Sequence, residues 1–249
     1  MNDYVKKLEG IASFHLAPSP AHVVDCKAQA LDREKLLPFV QGPRVLELGC
    51  GDGLWTTRLI ELFGEAHVVD ASSNLLAEAK RRYGPRVNCH ESLFEEFSPP
   101  EGSLFNTVIA THILEHVDDP VRVLECVRRW LAPGGRVIVI VPNARSFHRQ
   151  LAVRMGIQGT VYDFSPADHA VGHVRVYDLA ALRKDVLASG FRMVMERGLF
   201  LKILPNSMMT GFSDELLKAL VDISDGLPAD WMANLAMVLE PAREPAHAP

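Results

Sequence analysis

Few of the side chains that build disulfide-rich or thiolate zinc proteins are present in this sequence. It has four cysteines in 249 residues, Cys26, Cys50, Cys89 and Cys126, and no two of them form a CxxC pair. This spacing argues against a zinc site made of paired thiolates. It also favours a reduced, cytoplasmic setting over a disulfide framework.

Long apolar runs and an excess of positive charge are missing as well. No uninterrupted apolar run approaches the ~18 residues of a membrane-spanning helix, and the N-terminal stretch MNDYVKKLEG lacks the apolar centre of a signal peptide. The formal net charge is −5, whereas general nucleic-acid binding needs a basic face. We therefore expect neither a membrane nor a nucleic acid among the partners.

Apolar residues make up 48% of the chain, which is enough to bury one substantial core. From residue 44 onward, short apolar runs alternate with stretches of helical spacing. Such alternation is typical of an α/β fold, a doubly wound and mostly parallel sheet with helices on both faces. We expect strands at 44–48, 66–69, 87–90, 104–110, 136–141 and 191–196, and helices at 24–39, 54–63, 74–83, 120–132, 179–189, 213–223 and 231–239, the last of them running into a final strand.

The segment VLELGCGDG, from Val45 to Gly53, places three glycines after a buried strand and before a helix. Because glycine tolerates positive φ and lets another molecule approach the backbone, the segment predicts a nucleotide-binding turn at the carboxyl edge of a parallel sheet. Glu47 lies inside the apolar strand, where a charge is costly without a polar or cationic partner. Asp70 ends the next strand, where an acid typically holds ribose hydroxyls.

Three other interpretations of the glycine segment compete with a nucleotide-binding turn of an enzyme. A dinucleotide oxidoreductase prefers GxGxxG, which GCGDG is not. Glycines that only pack a helix onto a strand do not explain Glu47 and Asp70 together. A fold that binds its nucleotide without catalysing a reaction remains an alternative, although both acids are intact.

Four blocks, VLELGCGDG, HVVDAS, FNTVIATHILEHVDDP and LAPGGRVIVIVPN, follow one another between residues 45 and 143. In this order they resemble the class I S-adenosylmethionine-dependent methyltransferases, in particular the branch that acts on small molecules. The resemblance implies a Rossmann-like sheet of seven strands. It also implies S-adenosyl-L-methionine as the cofactor and S-adenosyl-L-homocysteine as its product.

The resemblance assigns a role to each matching residue at the cofactor. Glu47 orders the methionine end, while Gly49 and Gly51 pack against the cofactor. Asp70 binds the ribose hydroxyls. Ser92 departs from the aspartate or asparagine that is usual beside the adenine, which puts that contact in doubt. The remaining expected cofactor contacts are Ala71, Ser92, Leu93, Thr111 and His116.

The resemblance also suggests how the chain is divided. We expect a single methyltransferase domain over residues 1–240, followed by a disordered tail. The parts are an N-terminal helical cover (1–40), a cofactor-binding core (41–142), a substrate-binding insertion after the fifth strand (143–178), the C-terminal part of the sheet (179–240) and the tail (241–249).

Methyl transfer needs chiefly an aligned nucleophile and the exclusion of water, and a hydroxyl acceptor also needs a base that takes its proton. Histidine is the natural base because it titrates near neutral pH. The candidates are His112, at the end of the fourth strand, and His169 and His173 in the insertion. We expect no metal, since His112, His116 and Asp118 do not offer a convincing ligand spacing.

Residues 163–182 interleave histidine, arginine and tyrosine around a glycine-bearing loop, which favours an acceptor pocket over a solvated loop. The guanidinium of Arg175 suits a phosphate or carboxylate because it donates in a fork. The side chains expected to contact the acceptor are Tyr4, His15, Arg145, Tyr162, Arg175 and Tyr177.

The sequence therefore predicts a methyltransferase that acts on a small polar metabolite, by O-methylation with a histidine base. An acceptor that bears a phosphate or carboxylate is expected. Two alternatives stay open, an N-methyltransferase of an amine or amino sugar and a non-catalytic S-adenosylmethionine-binding scaffold or regulatory protein. Monomer and homodimer are both compatible with the sequence.

Overall fold

The computed structural model describes residues 9–12, 15 and 19–242. One sheet contains β1 (Val45–Leu48), β2 (Ala66–Asp70), β3 (Val87–Glu91), β4 (Phe105–Thr111), β5 (Leu131–Pro142), β6 (Phe191–Leu199) and β7 (Asn234–Pro241). The strand order is β3-β2-β1-β4-β5-β7-β6. Strands β1 to β5 pair in parallel, and β7 is antiparallel to both β5 and β6. The predicted seven-stranded, mostly parallel sheet is confirmed.

Helices cover both faces of this sheet. In the described part of the chain they are α1 (Pro20–Glu34), α2 (Leu54–Phe63), α3 (Ser73–Tyr83), α4 (Pro120–Trp130), α5 (Phe147–Arg154), α6 (Pro166–Ala170), α7 (Leu179–Ala188) and α8 (Asp214–Ile223). Helices α4 and α7 pack on one face, and α2 and α3 pack on the other. Several of these helices start at a residue whose side chain caps the first turn. In α4, the side chain of Asp119 accepts a hydrogen bond from the backbone N–H of Arg122. The Asp119-Pro120 start of α4 agrees with the sequence.

The N-terminal cover is tied to the C-terminal part of the chain. Val24 and Ala28 of α1 share a buried cluster with Leu217, Leu220 and Val221 of α8. This packing fixes α1 above the sheet edge at which β1 and β2 end, so its other side chains are available to the space below.

The expected helix over residues 231–239 is wrong. A short 3-10 turn at Ala229–Trp231 precedes β7, which occupies most of that range. Residues 235–239 are all buried between two antiparallel neighbours. A continuous apolar run of this length suits a strand covered on both faces as well as a buried helix, and periodicity does not separate the two.

The boundaries of two further elements differ from those predicted from the sequence. Helix α4 ends at Trp130, and Leu131 pairs with Phe105 of β4 instead of continuing the helix. Strand β7 reaches Pro241, and the tail beyond Ala242 lies outside the described residues. Within the described residues, none of the helices has the length and apolarity needed to cross a membrane.

Candidate functional site

A cavity of about 860 Å³ opens at the carboxyl ends of β1, β2 and β4. The strand order reverses between β1 and β4, and ligands of open α/β sheets bind in the crevice at such a point. The walls come from the glycine loop after β1, the loop after β4, helix α1 and the insertion between β5 and α7. The cover, the core and the insertion therefore meet at one site.

The glycine loop turns with positive φ at three positions, 71° at Gly49, 40° at Gly51 and 73° at Gly53. Only glycine adopts such angles without strain. Space is restricted as well, because a Cβ on Gly49 would lie 2.7 Å from Ile113 Cδ1 and one on Gly53 would meet the hydroxyl of Tyr83. Part of the requirement for glycine is thus internal packing, while Gly49 and Gly51 still line the cavity.

Both acids that the sequence singled out line the cavity. Glu47 is buried in β1 and accepts a hydrogen bond from the hydroxyl of Thr56; burial raises the pKa of its carboxyl to about 8. Asp70 accepts from the backbone N–H of Cys50 at 3.1 Å and of Ser72 at 2.8 Å. Burial raises the pKa of Asp70 although these two donors oppose the shift.

The three residues expected beside the adenine lie together in the cavity wall. Ala71, Ser92 and Leu93 all line it. The hydroxyl of Ser92 donates to the carbonyl of Leu93 at 2.8 Å, and its backbone N–H donates to the carbonyl of Asp70 at 3.1 Å. These bonds fix the backbone after β3 beside the end of β2.

An acid in the glycine loop holds the N-terminal cover. Asp52 Oδ2 lies 2.9 Å from His15 Nδ1, and its Oδ1 lies 2.9 Å from His22 Nε2. Burial opposes ionisation of Asp52, but the bonds to the two histidines outweigh it and hold its pKa low. The same bond to Asp52 raises the pKa of His22. Sequence reasoning named His15 but missed His22 and Asp52, because nothing in the spacing shows that α1 crosses this loop. Tyr4 lies outside the described residues.

The loop after β4 brings Thr111, His112, Glu115 and His116 to the cavity. His112 has a φ of 55°, which is uncommon for a residue with a Cβ and marks local strain. Its Nδ1 lies 3.3 Å from Glu115 Oε1. Burial favours the neutral imidazole, but Glu115 outweighs it and raises the pKa of His112. Burial lowers the pKa of His116 to about 4, so its ring is neutral near pH 7.

The insertion contributes His173 to the cavity through a built network. His173 Nδ1 lies 2.8 Å from Asp168 Oδ1. Asp168 also accepts from Arg149 at 2.5 Å and from the hydroxyl of Ser165 at 2.6 Å. These bonds outweigh the burial of Asp168 and hold its pKa well below the usual range.

Three described residues that were predicted for catalysis or acceptor binding, His169, Arg175 and Tyr177, lie outside the lining of this cavity. The ring of His169 is on an exposed residue and packs near Phe164. The guanidinium of Arg175 donates to three backbone carbonyls of the loop between β4 and α4, so it holds that loop rather than an acceptor. Tyr177 is buried in the core, where its hydroxyl donates to Asp185.

Two further predicted contacts lie on the outer side of the insertion. The hydroxyl of Tyr162 donates to Asp178 at 2.7 Å, and Arg145 Nε lies 3.5 Å from Asp230. Neither lines the cavity.

One end of the cavity gathers Lys202, Asp25 and His148, of which the sequence did not single out Lys202 and Asp25. Lys202, which follows β6, lines the cavity and has no hydrogen-bond or ion-pair partner among the described residues. Burial lowers the pKa of its amino group. Asp25 also lines this end, held by Gln29 at 2.7 Å and Asn206 at 3.0 Å. His148 completes it, and burial strongly lowers the pKa of its imidazole.

Residues 25–196 match a family model described as a methyltransferase domain. Among curated proteins, the chain is 29% identical over 120 residues to a ubiquinone biosynthesis O-methyltransferase of Aromatoleum aromaticum, covering 47% of this chain and 51% of that protein. It is 32% identical over 105 residues to the protein of the same description from Paraburkholderia phymatum, covering 41% and 45%. The chain thus spans about half the length of these curated relatives.

Solved structures resemble the chain over more of its length. The DhpI–SAH complex has a TM-score of 0.59 at 22% identity and covers 96% of both chains. The N-methyltransferase NodS from Bradyrhizobium japonicum WM9, in complex with S-adenosyl-L-homocysteine, has a TM-score of 0.58 at 14% identity and covers 97% of this chain and 100% of that one. At these identities the likeness shows a shared fold.

Proposed function

Because the chain belongs to the methyltransferase domain family, whose model matches residues 25–196, we propose that it transfers the methyl group of S-adenosyl-L-methionine to an oxygen of a small polar metabolite. The family is the one that the four sequence blocks predicted. The observation that carries the proposal is a single cavity that joins the glycine loop and Asp70 to a set of polar side chains suited to an acceptor.

The cofactor half of the cavity fits S-adenosylmethionine. Asp70, fixed by two backbone N–H groups, stands where ribose hydroxyls donate. Glu47 would order the methionine end, and Ala71, Ser92 and Leu93, which line the same cavity, would flank the adenine. The bound cofactor supplies a sulfonium methyl group that is already electrophilic. The protein's task is then to align the acceptor and exclude water.

His112 is our assignment for the base. It lines the cavity, and Glu115 lies behind it at 3.3 Å from its Nδ1. An adjacent carboxylate orients an imidazole and stabilises the imidazolium that forms when the ring takes a proton. Its Nε2 has no hydrogen-bond partner among the described residues, which leaves that nitrogen for the acceptor hydroxyl. His169 is not placed to act, because it lies outside the cavity.

Lys202 supports an acceptor with a carboxylate or phosphate. Its ammonium is half-buried and forms no hydrogen bond with a described side chain, so an anionic ligand would offset part of the cost of its desolvation. Arg149 also lies near this end, but Asp168 already neutralises it. Asp25 faces the same space and would favour a donor, such as a hydroxyl, on another part of the acceptor. The expected anion contact is therefore kept, with Lys202 in place of Arg175.

Calorimetry and turnover assays test the proposal in two steps. S-adenosyl-L-homocysteine should bind the wild-type protein, and Asp70→Ala should weaken binding at least about tenfold, since two N–H groups and two hydroxyls lose their acceptor. Asp222→Ala, an exposed position on α8, is the matched control. Absence of binding at millimolar concentration contradicts the cofactor assignment.

The second step measures methyl transfer to paired acceptors. A hydroxylated aromatic carboxylate, its methyl ester and an amine of similar size separate the alternatives. We expect transfer to oxygen and a preference for the free carboxylate over the ester. Transfer to the amine alone would support N-methylation, and binding without any transfer would support a scaffold.

A further inference from the structure

Three side chains at the acceptor side of the cavity are spaced like the ligands of one metal ion. Glu115 and His116 come from the loop after β4, and His173 comes from the insertion. One donor atom from each lies within 4.8 Å of the other two. A tetrahedral site with bonds near 2.1 Å places its donors about 3.4 Å apart, so the side chains would need to approach one another by up to about 1.4 Å.

The carboxylate of Glu115 faces His112 through Oε1 and leaves Oε2 without a partner among the described residues. Glu115 is 1% exposed, and neither of its oxygens has a hydrogen-bond partner among the described residues. His112 Nδ1 is 3.3 Å away, but the contact falls short of hydrogen-bond geometry. Buried acids of native proteins are paired, hydrogen-bonded or bound to a metal. An ion at this point would give Oε2 of Glu115 the partner that the described residues do not supply.

His173 is held in the way that metal-binding histidines are held. Its Nδ1 pairs with Asp168 at 2.8 Å, which leaves Nε2 as the nitrogen turned to a ligand. Asp168 is fixed in turn by Arg149 and Ser165. A carboxylate behind the imidazole fixes the tautomer and raises the basicity of the metal-binding nitrogen. His112 fits this description less well, because the carboxylate behind it is Glu115, which is itself a ligand of the proposed site.

We propose that Glu115, His116 and His173 bind one divalent transition-metal ion, zinc in first preference, beside the acceptor. Two imidazoles and one carboxylate are the ligand set of open zinc sites, which keep a further position for water or substrate. Magnesium and calcium prefer oxygen ligands and suit this set poorly. The open position faces the cavity, where an acceptor oxygen would bind the ion and lose its proton more easily.

A second group, His15, His22 and Asp52, meets the same distance criterion. There both histidines already bond to Asp52 at 2.9 Å, so the carboxylate of this group already has its partners. The hydrogen bonds account for this group without an ion. This group is the other possible metal site, and the experiment below distinguishes the two.

Metal binding is measured on the full chain after treatment with a chelator. Zinc is titrated by calorimetry against a competing chelator, and cobalt is added separately to record the visible absorption of a tetrahedral site. We expect one equivalent of each ion, with affinity at least about 100-fold lower in Glu115→Gln and in His173→Ala. Asp168→Asn should lower it by about tenfold or more, because only the support of His173 is lost.

Two matched variants separate the outcomes. His169→Ala removes a histidine of the same segment that lies outside the cavity, and His22→Ala disrupts the alternative group; both should bind metal like the wild type. Loss in His22→Ala but not in Glu115→Gln contradicts the proposal, as does a dissociation constant above about 100 μM in the wild type. Binding of S-adenosyl-L-homocysteine by each variant reports whether it is folded.

The inference goes beyond the proposed function, and the titration needs no acceptor and no methyl transfer. If the titration fails while S-adenosyl-L-homocysteine binds, only the metal site is lost. If that nucleoside fails to bind and the metal binds, the proposed function is lost and the metal site stands.

Discussion

At the scale of single residues, the cavity wall contains two acids that lack enough hydrogen-bond donors, the buried Glu47 and the half-buried Asp70. Glu47 and Asp70 both have a raised pKa because burial outweighs the donors that reach them. Each gains from a ligand that brings further hydrogen-bond donors, and the amino and ribose hydroxyl groups of S-adenosylmethionine are donors of that kind. Lys202 presents the opposite case, a half-buried cation with no hydrogen-bond or ion-pair contact to a described side chain, although the charge of Asp25 lies near it. The two ends of the cavity therefore favour different ligand groups, hydrogen-bond donors at Glu47 and Asp70 and an anion at Lys202.

Replacement of His112 tests the base. His112→Ala should lower turnover by about 100-fold to 10,000-fold, because the acceptor hydroxyl loses the group that takes its proton. Binding of S-adenosyl-L-homocysteine should change little. His169→Ala, outside the cavity, should leave turnover near the wild-type value. Equal turnover in His112→Ala and wild type would remove His112 from the mechanism.

Lys202 is expected to act on acceptor binding. Lys202→Met should raise the KM for an anionic acceptor at least about tenfold, the loss expected for a charge-assisted hydrogen bond. The KM for the corresponding neutral ester should stay the same. Lys218→Met, on the exposed face of α8, is the control. If both acceptors respond equally, Lys202 supports the fold and not the charge of the acceptor.

At the scale of elements, the cover and the glycine loop are joined by ionisable groups. His22 on α1 and Asp52 in the loop bond to each other, and the pKa of His22 is raised while that of Asp52 is lowered. The contribution of His22 to stability is complete below its unfolded pKa of about 6.5. It disappears as the pH rises through the raised pKa of the folded state. The contribution of Asp52 is present above about 3.9 and is lost as the pH falls through its lowered pKa.

A pair of unfolding experiments checks this sign. His22→Gln should lower the free energy of unfolding more at pH 5.5 than at pH 8.5, since the ionised pair exists only in the acidic half of the range. Urea denaturation of the two proteins at both pH values gives the difference. A deficit that is equal at both values, or larger at pH 8.5, would show that His22 acts by packing alone.

The elements also show how far the sequence predicts this molecule. The cofactor half was predictable because its residues lie at strand ends within one short motif, as Glu47 and Gly49 do. Strand β7 was not, because an apolar run fits a buried strand or helix equally. At the acceptor end, Arg175 was predicted and Lys202 was missed. The direction of both side chains depends on packing between distant segments, which local patterns do not encode.

On the scale of the whole molecule, one cavity is enclosed by parts that are far apart in the sequence. Helix α1 covers it from the N-terminal side, where α8 holds the helix in place. The insertion covers it from the other side, with His173 facing His116 across 4.8 Å between ring centroids. With both covers over the core, the methyl group of a bound cofactor would be shielded from water. The geometry of methyl transfer therefore depends on where the nucleoside lies between the two covers.

A crystal structure of the full chain with S-adenosyl-L-homocysteine tests that point directly. We predict the ribose hydroxyls within hydrogen-bond distance of Asp70 and the sulfur atom directed from the glycine loop towards His112 and Lys202. A nucleoside bound outside this cavity, or turned so that its sulfur faces away from the acceptor end, would contradict the account.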